Sequence, residues 1–331
     1  MNYIKMSPLS GFSGFGGGAS SLTFAGGGVP FLNGGDRGIV SNLYQIAKIE
    51  YFDITTTGNA SSFGDSSDNA KYGHGSLSNI TRGVFAGGNL GGGNKSNVID
   101  YITIGTTGNA TDFGDLLVST GYPAGLCDGT RGVFGVHRDY NNNDTGMEYI
   151  TVANTGNSTD FGDVSQDRWG GAGCADSTRG VFSGGYSNVS PHYHNIMDYI
   201  TVASTGNATD FGDLSQGKYY LSSTADATRG VICGGAHTYN TADDSVETIE
   251  YITIQSASNS TDFGDLLWQS QNCGTCSNGT RGVHVQSYTS QNTGSLVHDE
   301  MCYFTIQTAG NATDFGDTVN NSAYCSATSG E

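Results

Sequence analysis

The sequence predicts an all-β fold, a six-bladed β-propeller, because one phrase recurs six times along the 331 residues. In each copy a Tyr opens a strand-like run and a Phe follows 12 positions later, at Tyr51/Phe63, Tyr101/Phe113, Tyr149/Phe161, Tyr199/Phe211, Tyr251/Phe263 and Tyr303/Phe315. Successive copies are 50, 48, 50, 52 and 52 residues apart, a period typical of repeat architectures. The six units fill residues 37–317 without a break, so we expect one large domain.

Each unit contains four strand candidates, which in the second copy are residues 75–78, 82–86, 98–104 and 110–113. The third candidate is apolar on both faces, which is typical of a strand enclosed between layers. The TTGN segment before the fourth candidate predicts a hairpin turn. Short antiparallel strands in repeated groups of four indicate a propeller. The alternative is a β-solenoid, which requires shorter and more uniform coils.

Strand signals at both ends of the chain predict how the ring closes. Residues 323–331 resemble the segment that precedes TRG in other copies, and residues 21–27 and 36–40 each resemble the TRGVF strand. An open ring would expose a sheet edge, so we expect the N- and C-terminal strands to share one blade. The predicted organisation is a Gly-rich arm over residues 1–20 and a propeller over 21–331.

The formal net charge of −18 excludes some classes of partner. Eleven of the 31 acidic residues lie in the repeated TDFGD phrase, and no basic stripe remains to neutralise phosphates. The composition therefore argues against binding of nucleic acid or of an anionic membrane. The chain has no apolar run of membrane-spanning length and its start lacks the apolar segment of a signal peptide, so we expect synthesis in a cytoplasm and no membrane insertion.

A repeated Arg follows the FGD Asp of the preceding copy by 16 or 17 residues. The pairs are Asp65/Arg82, Asp115/Arg131, Asp163/Arg179, Asp213/Arg229 and Asp265/Arg281. The spacing favours Arg–Asp bridges between neighbouring strands or blades. The alternative is an acidic ring in or near the channel that binds cations, with Ca²⁺ the ion suited to oxygen ligands. The sequons at Asn59, Asn109, Asn157, Asn207, Asn259 and Asn311 are interpreted as turn chemistry.

The remaining metal signals in the sequence are weak. Cys273 and Cys276 form a single CxxC, and Cys127, Cys174 and Cys276 are expected to be small buried side chains. His192 and His194 lie near Asp198 but lack further ligands at a recognisable spacing. We therefore predict no resident metal or other cofactor, with Ca²⁺ the one candidate ion.

The segments between the second and third strands vary most and are the predicted binding loops on one rim. Variable loops on a rigid scaffold often carry function. They contain the candidate ligand-binding residues His137, Tyr140, Tyr186, His192, Tyr193, His194, His237, Tyr239, Tyr288 and His298. Such side chains suit sugar rings or a protein partner, and the alternative is that the loops are merely solvated. A second variable set precedes the first strands, at residues 167–169, 218–220 and 267–269, and contains both Trp residues. Partial burial against the neighbouring blade is favoured there over stacking on a ligand.

Two phrases of the repeat resemble known families. TRGVFAGG (81–88) and GTRGVFGV (129–136) resemble the kelch strand that ends in a glycine doublet, and IDYITI with NATDFGDL resembles the kelch aromatic strand and its partner. The doublet is intact at 87–88, 184–185 and 234–235, and Phe stands where kelch repeats place Trp. The amino-acid sequence of the repeat also resembles the sequences of repeat proteins encoded by bacteriophages of aquatic bacteria. The second resemblance implies a virion protein made in a host cytoplasm.

No catalytic constellation is recognisable in the sequence, so we expect a protein that is not an enzyme. The leading interpretation is a binding or adhesion module, such as a tail-fibre, receptor-binding or decoration protein, that contacts a host-surface glycan or protein. The alternative is a purely structural virion or scaffold protein. In either case the N-terminal arm would contact other virion proteins.

Overall fold

The computed structural model describes residues 34–43, 46–67, 71–137, 145–238, 244–291 and 294–331, with the backbone alone for 42, 43, 288–291 and 294–297. The regular elements in these ranges are strands, and no helix there is long and apolar enough to cross a membrane. The strands are, in chain order, β1 (Arg37–Leu43), β2 (Ile46–Asp53), β3 (Ser61–Asp65), β4 (Gly75–Ser78), β5 (Arg82–Ala86), β6 (Asn89–Gly91), β7 (Asn94–Thr103), β8 (Thr111–Thr120), β9 (Ala124–Cys127), β10 (Arg131–Gly135), β11 (Gly146–Thr151), β12 (Thr159–Asp163), β13 (Ala172–Ala175), β14 (Arg179–Ser183), β15 (Ile196–Thr201), β16 (Thr209–Asp213), β17 (Ser222–Ala225), β18 (Arg229–Cys233), β19 (Val246–Thr253), β20 (Thr261–Ser270), β21 (Gly274–Ser277), β22 (Arg281–Val285), β23 (Tyr288–Gln291), β24 (Gly294–Thr305), β25 (Thr313–Ser322) and β26 (Ser326–Gly330).

Six antiparallel sheets form the blades of a six-bladed β-propeller, as the repeat predicts. From the inside outwards, blade I is β26-β1-β2-β3, blade II is β4-β5-β7-β8, blade III is β9-β10-β11-β12, blade IV is β13-β14-β15-β16, blade V is β17-β18-β19-β20 and blade VI is β21-β22-β24-β25. Two short strands, β6 and β23, extend blades II and VI by pairing with β7 and β24. The first strands contact one another in cyclic order around a central channel.

Antiparallel order gives the ring two faces with different connections. The face that we call the turn face carries the turns from first to second strand and from third to fourth strand. The opposite face, the loop face, carries the loops from second to third strand and the connections from each fourth strand to the next blade. The two sets of variable segments in the sequence therefore lie on the same face.

The first two strands of blade II coincide with the predicted residues 75–78 and 82–86. The third and fourth strands of that blade are longer than predicted, because β7 begins at Asn94 and β8 continues to Thr120. Fourth strands come in two lengths: β8, β20 and β25 have 10 residues, whereas β3, β12 and β16 have 5.

The ring closes as predicted, by a blade that both ends of the chain share. β26 pairs with β1 in antiparallel register, from Arg37 opposite Gly330 to Ser41 opposite Ser326. Of the two N-terminal candidates, the structure uses residues 36–40. The other candidate, residues 21–27, and the predicted arm over residues 1–20 lie outside the described residues.

The core lies between neighbouring blades, and the repeated Tyr and Phe belong to it. The two rings of each copy meet edge to face at centroid distances of 6.0 to 6.2 Å. A typical cluster combines Leu77 and Val84 of blade II with Phe134 and Ile150 of blade III. Burial of these apolar faces between blades is the main favourable term in assembling the ring.

The repeated Arg does not bridge to the FGD Asp, and that prediction is corrected here. Each Arg guanidinium lies 4.2 to 4.9 Å from the centroid of the repeated Tyr in its own blade. Each also donates to a carbonyl at the end of the third strand of the next blade, at 2.9 to 3.3 Å. The two residues do not meet because they lie at different heights in the ring. The Arg begins a second strand at the turn face, whereas the Asp lies farther along a fourth strand, towards the loop face.

The FGD Asp residues lie on the outermost strands, so the alternative acidic ring does not line the channel. The backbone N–H of each Asp donates to the side-chain oxygen of the sequon Asn in the next blade, at 3.0 to 3.2 Å. The sequon Asn therefore joins blades, a role beyond the predicted turn chemistry. Asp65 also pairs with Lys48 at 2.6 Å.

Candidate functional site

The two variable sets of segments pair with each other on the loop face. In blade IV, Trp169 and Tyr186 exchange backbone hydrogen bonds of 2.9 and 2.8 Å. In blade V, Tyr219 and Ala236 exchange bonds of the same lengths, 2.9 and 2.8 Å. In these two blades the connection into the first strand is thereby fixed to the second-to-third loop of the same blade, which holds the side chains of both segments together.

Aromatic side chains from three blades form one cluster on this face. The cluster comprises Tyr122, Trp169, Tyr186, Tyr193, Tyr219 and Tyr220. Trp169 lies at its centre, 3% exposed, stacked on Tyr122 with centroids 5.6 Å apart and in contact with Tyr220 at 5.5 Å. The Tyr rings around it are half-buried, apart from buried Tyr219, and so present partial faces at the surface. A half-buried aromatic surface suits contact with sugar rings or with apolar protein side chains.

The predicted loop over residues 186–195 extends this cluster outwards. The His192 ring is exposed and lies parallel to the Tyr186 ring, with centroids 5.8 Å apart, and its Nδ1 is 3.0 Å from the Ser187 carbonyl oxygen. Tyr193 contacts Tyr186 at 5.6 Å, and Val189 is 65% exposed. The structure thus brings Tyr186, His192 and Tyr193 together, and their binding of a ligand stays a prediction.

His194 lies beneath this surface, and the structure does not bring His192, His194 and Asp198 together as a group of metal ligands. His194 is buried, and burial, reinforced by the nearby Arg168 guanidinium, lowers its pKa. Asp198 is bound to Arg168 at 2.8 Å in the interior. Among the residues that the structure describes, no group of three His, Cys, Asp or Glu side chains is placed to hold a metal ion.

The other predicted site residues that the structure describes lie on blades III, V and VI. His137 is buried, and His237 is exposed on blade V. His298 is half-buried on blade VI, 3.2 Å from Glu300. Tyr288 is placed by its backbone in β23, and Tyr140 and Tyr239 lie outside the described residues. The three described His side chains, His137, His237 and His298, are not part of the aromatic cluster.

The two Trp residues differ in exposure, whereas both Cys residues of the CxxC motif are buried. Trp169 is buried, as expected, whereas Trp268 on β20 is 39% exposed. Cys273 and Cys276 are buried free thiols, and burial raises the pKa of both, that of Cys276 to about 12. A protonated buried thiol is a poor metal ligand and a poor nucleophile.

Sequence reasoning missed two sets of residues beneath and beside the cluster. One is a series of three buried ion pairs: Lys71–Asp100 at 3.5 Å, Arg168–Asp198 at 2.8 Å and Lys218–Glu250 at 2.5 Å. The other is a group of three Tyr residues at the loop-face end of the channel, Tyr122, Tyr220 and Tyr324. Aligning the residue two positions before each first strand across the six copies would have found the second set.

The channel behind these Tyr residues is neutral. Cavities of about 80 and 120 Å³ lie along it, and their described walls contain Ser, Thr, Gly, Ala, Cys and Leu but no Asp, Glu, Lys or Arg. His74 also lines the larger cavity, and burial together with Lys71 lowers its pKa to about 3, so it is uncharged at neutral pH. The channel therefore offers hydroxyl groups and no charge.

A comparison of the chain with protein-family models and with curated proteins finds no match.

Proposed function

We propose that the protein is a non-enzymatic binding or adhesion module of a virion, such as a tail-fibre, receptor-binding or decoration protein. Its loop face would contact a glycan or a protein on the host surface. The observation that carries the proposal is the aromatic cluster, in which segments of three neighbouring blades converge on one face of the ring. Rigid aromatic side chains provide contact area at little entropic cost.

The proposal of a virion protein rests on the amino-acid sequence of the repeat, which resembles the sequences of repeat proteins encoded by bacteriophages. The kelch-like part has support in the backbone, since the first Gly of each intact doublet adopts a left-handed conformation: φ is +68° at Gly87, +64° at Gly184 and +62° at Gly234. On this proposal the protein is made in the host cytoplasm and resides in the particle. The N-terminal arm over residues 1–20 would contact other virion proteins.

A glycan-array screen of the purified chain tests the adhesion proposal. The test variant replaces residues 186–195 by a short Gly/Ser loop, and the matched control replaces the exposed turn-face residues 153–155 by Gly/Ser, which leaves the blade-joining Gly156 and Asn157 in place. We expect glycan binding by the wild type and the control and reduced binding by the test variant. Absence of binding by the wild type would contradict the proposal.

The second candidate is a structural virion or scaffold protein that assembles through its outer strands. The observation that favours it is a set of exposed apolar side chains at one repeat position of the three long fourth strands: Leu117 at 57%, Leu267 at 40% and Val319 at 58%. Exposed apolar residues on edge strands mark assembly surfaces. Replacing all three by Asp should then abolish incorporation into particles while leaving the melting temperature unchanged.

A further inference from the structure

One residue per blade at the loop-face end of the channel has a left-handed backbone conformation. In ring order the residues and their φ angles are Tyr324 (59°), Gly73 (61°), Tyr122 (55°), Gly170 (69°), Tyr220 (57°) and Asn272 (54°). Tyr therefore alternates with a smaller residue around the axis. We call these six residues the mouth.

The alternation allows the three Tyr rings to converge. A Cβ atom on Gly73 would lie 2.5 Å from Cε1 of Tyr122, and one on Gly170 would lie 3.2 Å from Cδ1 of Tyr220. Tyr122 and Tyr220 thus occupy space that the Gly of the preceding blade leaves open. The ring centroid of Tyr122 is 4.8 Å from that of Tyr220 and 6.3 Å from that of Tyr324.

The backbone of the mouth does not require Tyr. Backbone hydrogen bonds join residues of successive blades. The Gly73 N–H donates to the Tyr324 carbonyl at 3.2 Å, the Tyr122 N–H to the Gly73 carbonyl at 2.7 Å and the Asn272 N–H to the Tyr220 carbonyl at 3.0 Å. Gly adopts the same φ at two of the six positions without strain, whereas a non-Gly residue there costs on the order of 1–3 kcal/mol. Strained residues held in place by their surroundings cluster at functional sites, which favours a function for the three rings.

The mouth is also electrically neutral. The cations nearest to it in sequence, Lys71, Arg168 and Lys218, are each bound to a buried carboxylate. The Tyr220 hydroxyl is hydrogen-bonded to that of Tyr122. Burial, together with the neighbouring Tyr residues, raises the pKa of Tyr220 well above its usual value. A cavity of about 60 Å³ lies between the rings, lined also by His74 and Asn272. Half-buried Tyr rings with their hydroxyl groups and the Asn272 amide line this cavity.

We propose that the mouth binds the terminal residue of a neutral hexose glycan. A pyranose face would lie on the Tyr rings, and its hydroxyl groups would bond to the Tyr hydroxyls and the Asn272 amide. Anionic sugars are disfavoured, because the described cations nearest the mouth are already paired with carboxylates and the net charge of −18 repels anions. The inference rests on the proposed function, of which it specifies the ligand class and the site.

The test uses Tyr→Gly substitutions, because Gly already fits the left-handed backbone of the mouth. The variants are Tyr122→Gly, Tyr220→Gly and Tyr324→Gly, singly and together, with Trp268→Phe on β20 as a control remote from the mouth. The probe is an array on which each neutral oligosaccharide stands beside its sialylated counterpart. The affinity for the best neutral oligosaccharide is then measured through the fluorescence of Trp169, in a Trp268→Phe background.

We expect binding of neutral oligosaccharides only, about tenfold weaker in each single variant and lost in the triple variant. Preference for sialylated sugars, or wild-type affinity in the triple variant, would overturn the inference. Loss of binding in the 186–195 replacement with full affinity in the triple Gly variant would leave the adhesion proposal intact and move the site to the loop. If the triple variant does not fold, the single variants decide. No binding by the wild type would overturn both proposals.

Discussion

A buried side chain just before the repeated Tyr joins each blade to the one before it. It is an acid in five blades, Glu50, Asp100, Glu148, Asp198 and Glu250, and Cys302 in the sixth. The Glu148 carboxylate accepts a hydrogen bond from the Leu117 N–H at 2.7 Å, and the Glu250 carboxylate accepts one from the Ser215 N–H at 2.8 Å. Both donors lie just beyond an FGD Asp of the preceding blade. The acids therefore hold the segment that follows the FGD phrase of the preceding blade, and in three blades a buried cation balances their charge.

Lys218→Met should lower the free energy of unfolding by about 3–5 kcal/mol, because the Glu250 carboxylate would remain buried without its cation. The double variant Lys218→Met/Glu250→Leu should recover most of that loss, since it removes both charges. Denaturant unfolding of the two variants and the wild type measures the effect. Equal stability of Lys218→Met and the wild type would show that the ion pair is not coupled as the geometry indicates.

Glu50 and Glu250 should give pH dependences of opposite sign. Burial raises the pKa of Glu50 above its usual 4.5, and its hydrogen bonds only partly oppose this, so Glu50 contributes stability below about pH 4.5 that is lost as the pH rises through its folded pKa. Burial also acts to raise the pKa of Glu250, but Lys218 and the Ser215 hydrogen bonds lower it overall. Its contribution is therefore present above about pH 4.5 and lost as the pH falls through the folded pKa.

The variants Glu50→Gln and Glu250→Gln separate these two effects. The stability difference between wild type and Glu50→Gln should decrease from acid to neutral pH, and that between wild type and Glu250→Gln should increase. Unfolding free energies at a series of pH values provide the measurement. Parallel profiles for the two variants would contradict the assignment.

At the scale of elements, the FGD glycine lets a fourth strand approach the turn of the next blade. φ is +146° at Gly114, and a Cβ atom there would lie 2.5 Å from the carbonyl carbon and oxygen of Gly156. The register of β7 and β8 shifts beside this Gly, between Ile99 and Asp100. The approach permits the hydrogen bond from Gly156 N–H to Phe113, at 2.7 Å. The glycine of the repeated phrase is thus required both by its φ and by the space around it.

Gly114→Ala should destabilise the protein by at least about 2 kcal/mol, because the new methyl group meets backbone atoms and the φ angle is strained for Ala. The matched control is Gly108→Ala, since a Cβ atom on Gly108 meets nothing within 4 Å. We expect the control to stay within about 1 kcal/mol of the wild type. Thermal or denaturant unfolding of both variants checks the difference, and similar losses in the two would refute the packing argument.

The sequence predicts elements well where local chemistry defines them. β4 and β5 are bounded by turn residues and coincide with their predicted limits, whereas the pairing of β8 with the longer β7 continues past the FGD phrase and was missed. The Arg82–Asp65 bridge failed because spacing along the chain does not specify which end of a blade a side chain reaches. The convergence of Tyr122 with Tyr220 at the mouth was missed because Tyr is not a turn residue, and only the ring context gives these positions a left-handed backbone.

At the scale of the whole molecule, β26 connects three parts of the ring. It pairs with β1 and contacts the innermost strands of both adjacent blades, β4 and β21. Ser76 and Ser78 donate to the carbonyls of Ala327 and Ser329 at 2.9 and 2.8 Å, and Ser329 donates to the carbonyl of Ser277 at 2.6 Å. The last strand in the chain therefore supplies a whole segment of the channel wall as well as the closing sheet pairing.

Deletion of residues 326–331 should lower the melting temperature by several degrees and broaden the transition, because it leaves the inner edge of β1 unpaired and opens the ring between blades II and VI. Calorimetry of the truncated chain measures the loss. A synthetic peptide of residues 322–331 added to the truncated chain should restore much of the stability, by mass action on the folded form. A scrambled peptide of the same composition is the control and should have no effect. If the truncated chain melted like the wild type, the ring would not depend on β26, and its pairing with β1 would be incidental to stability.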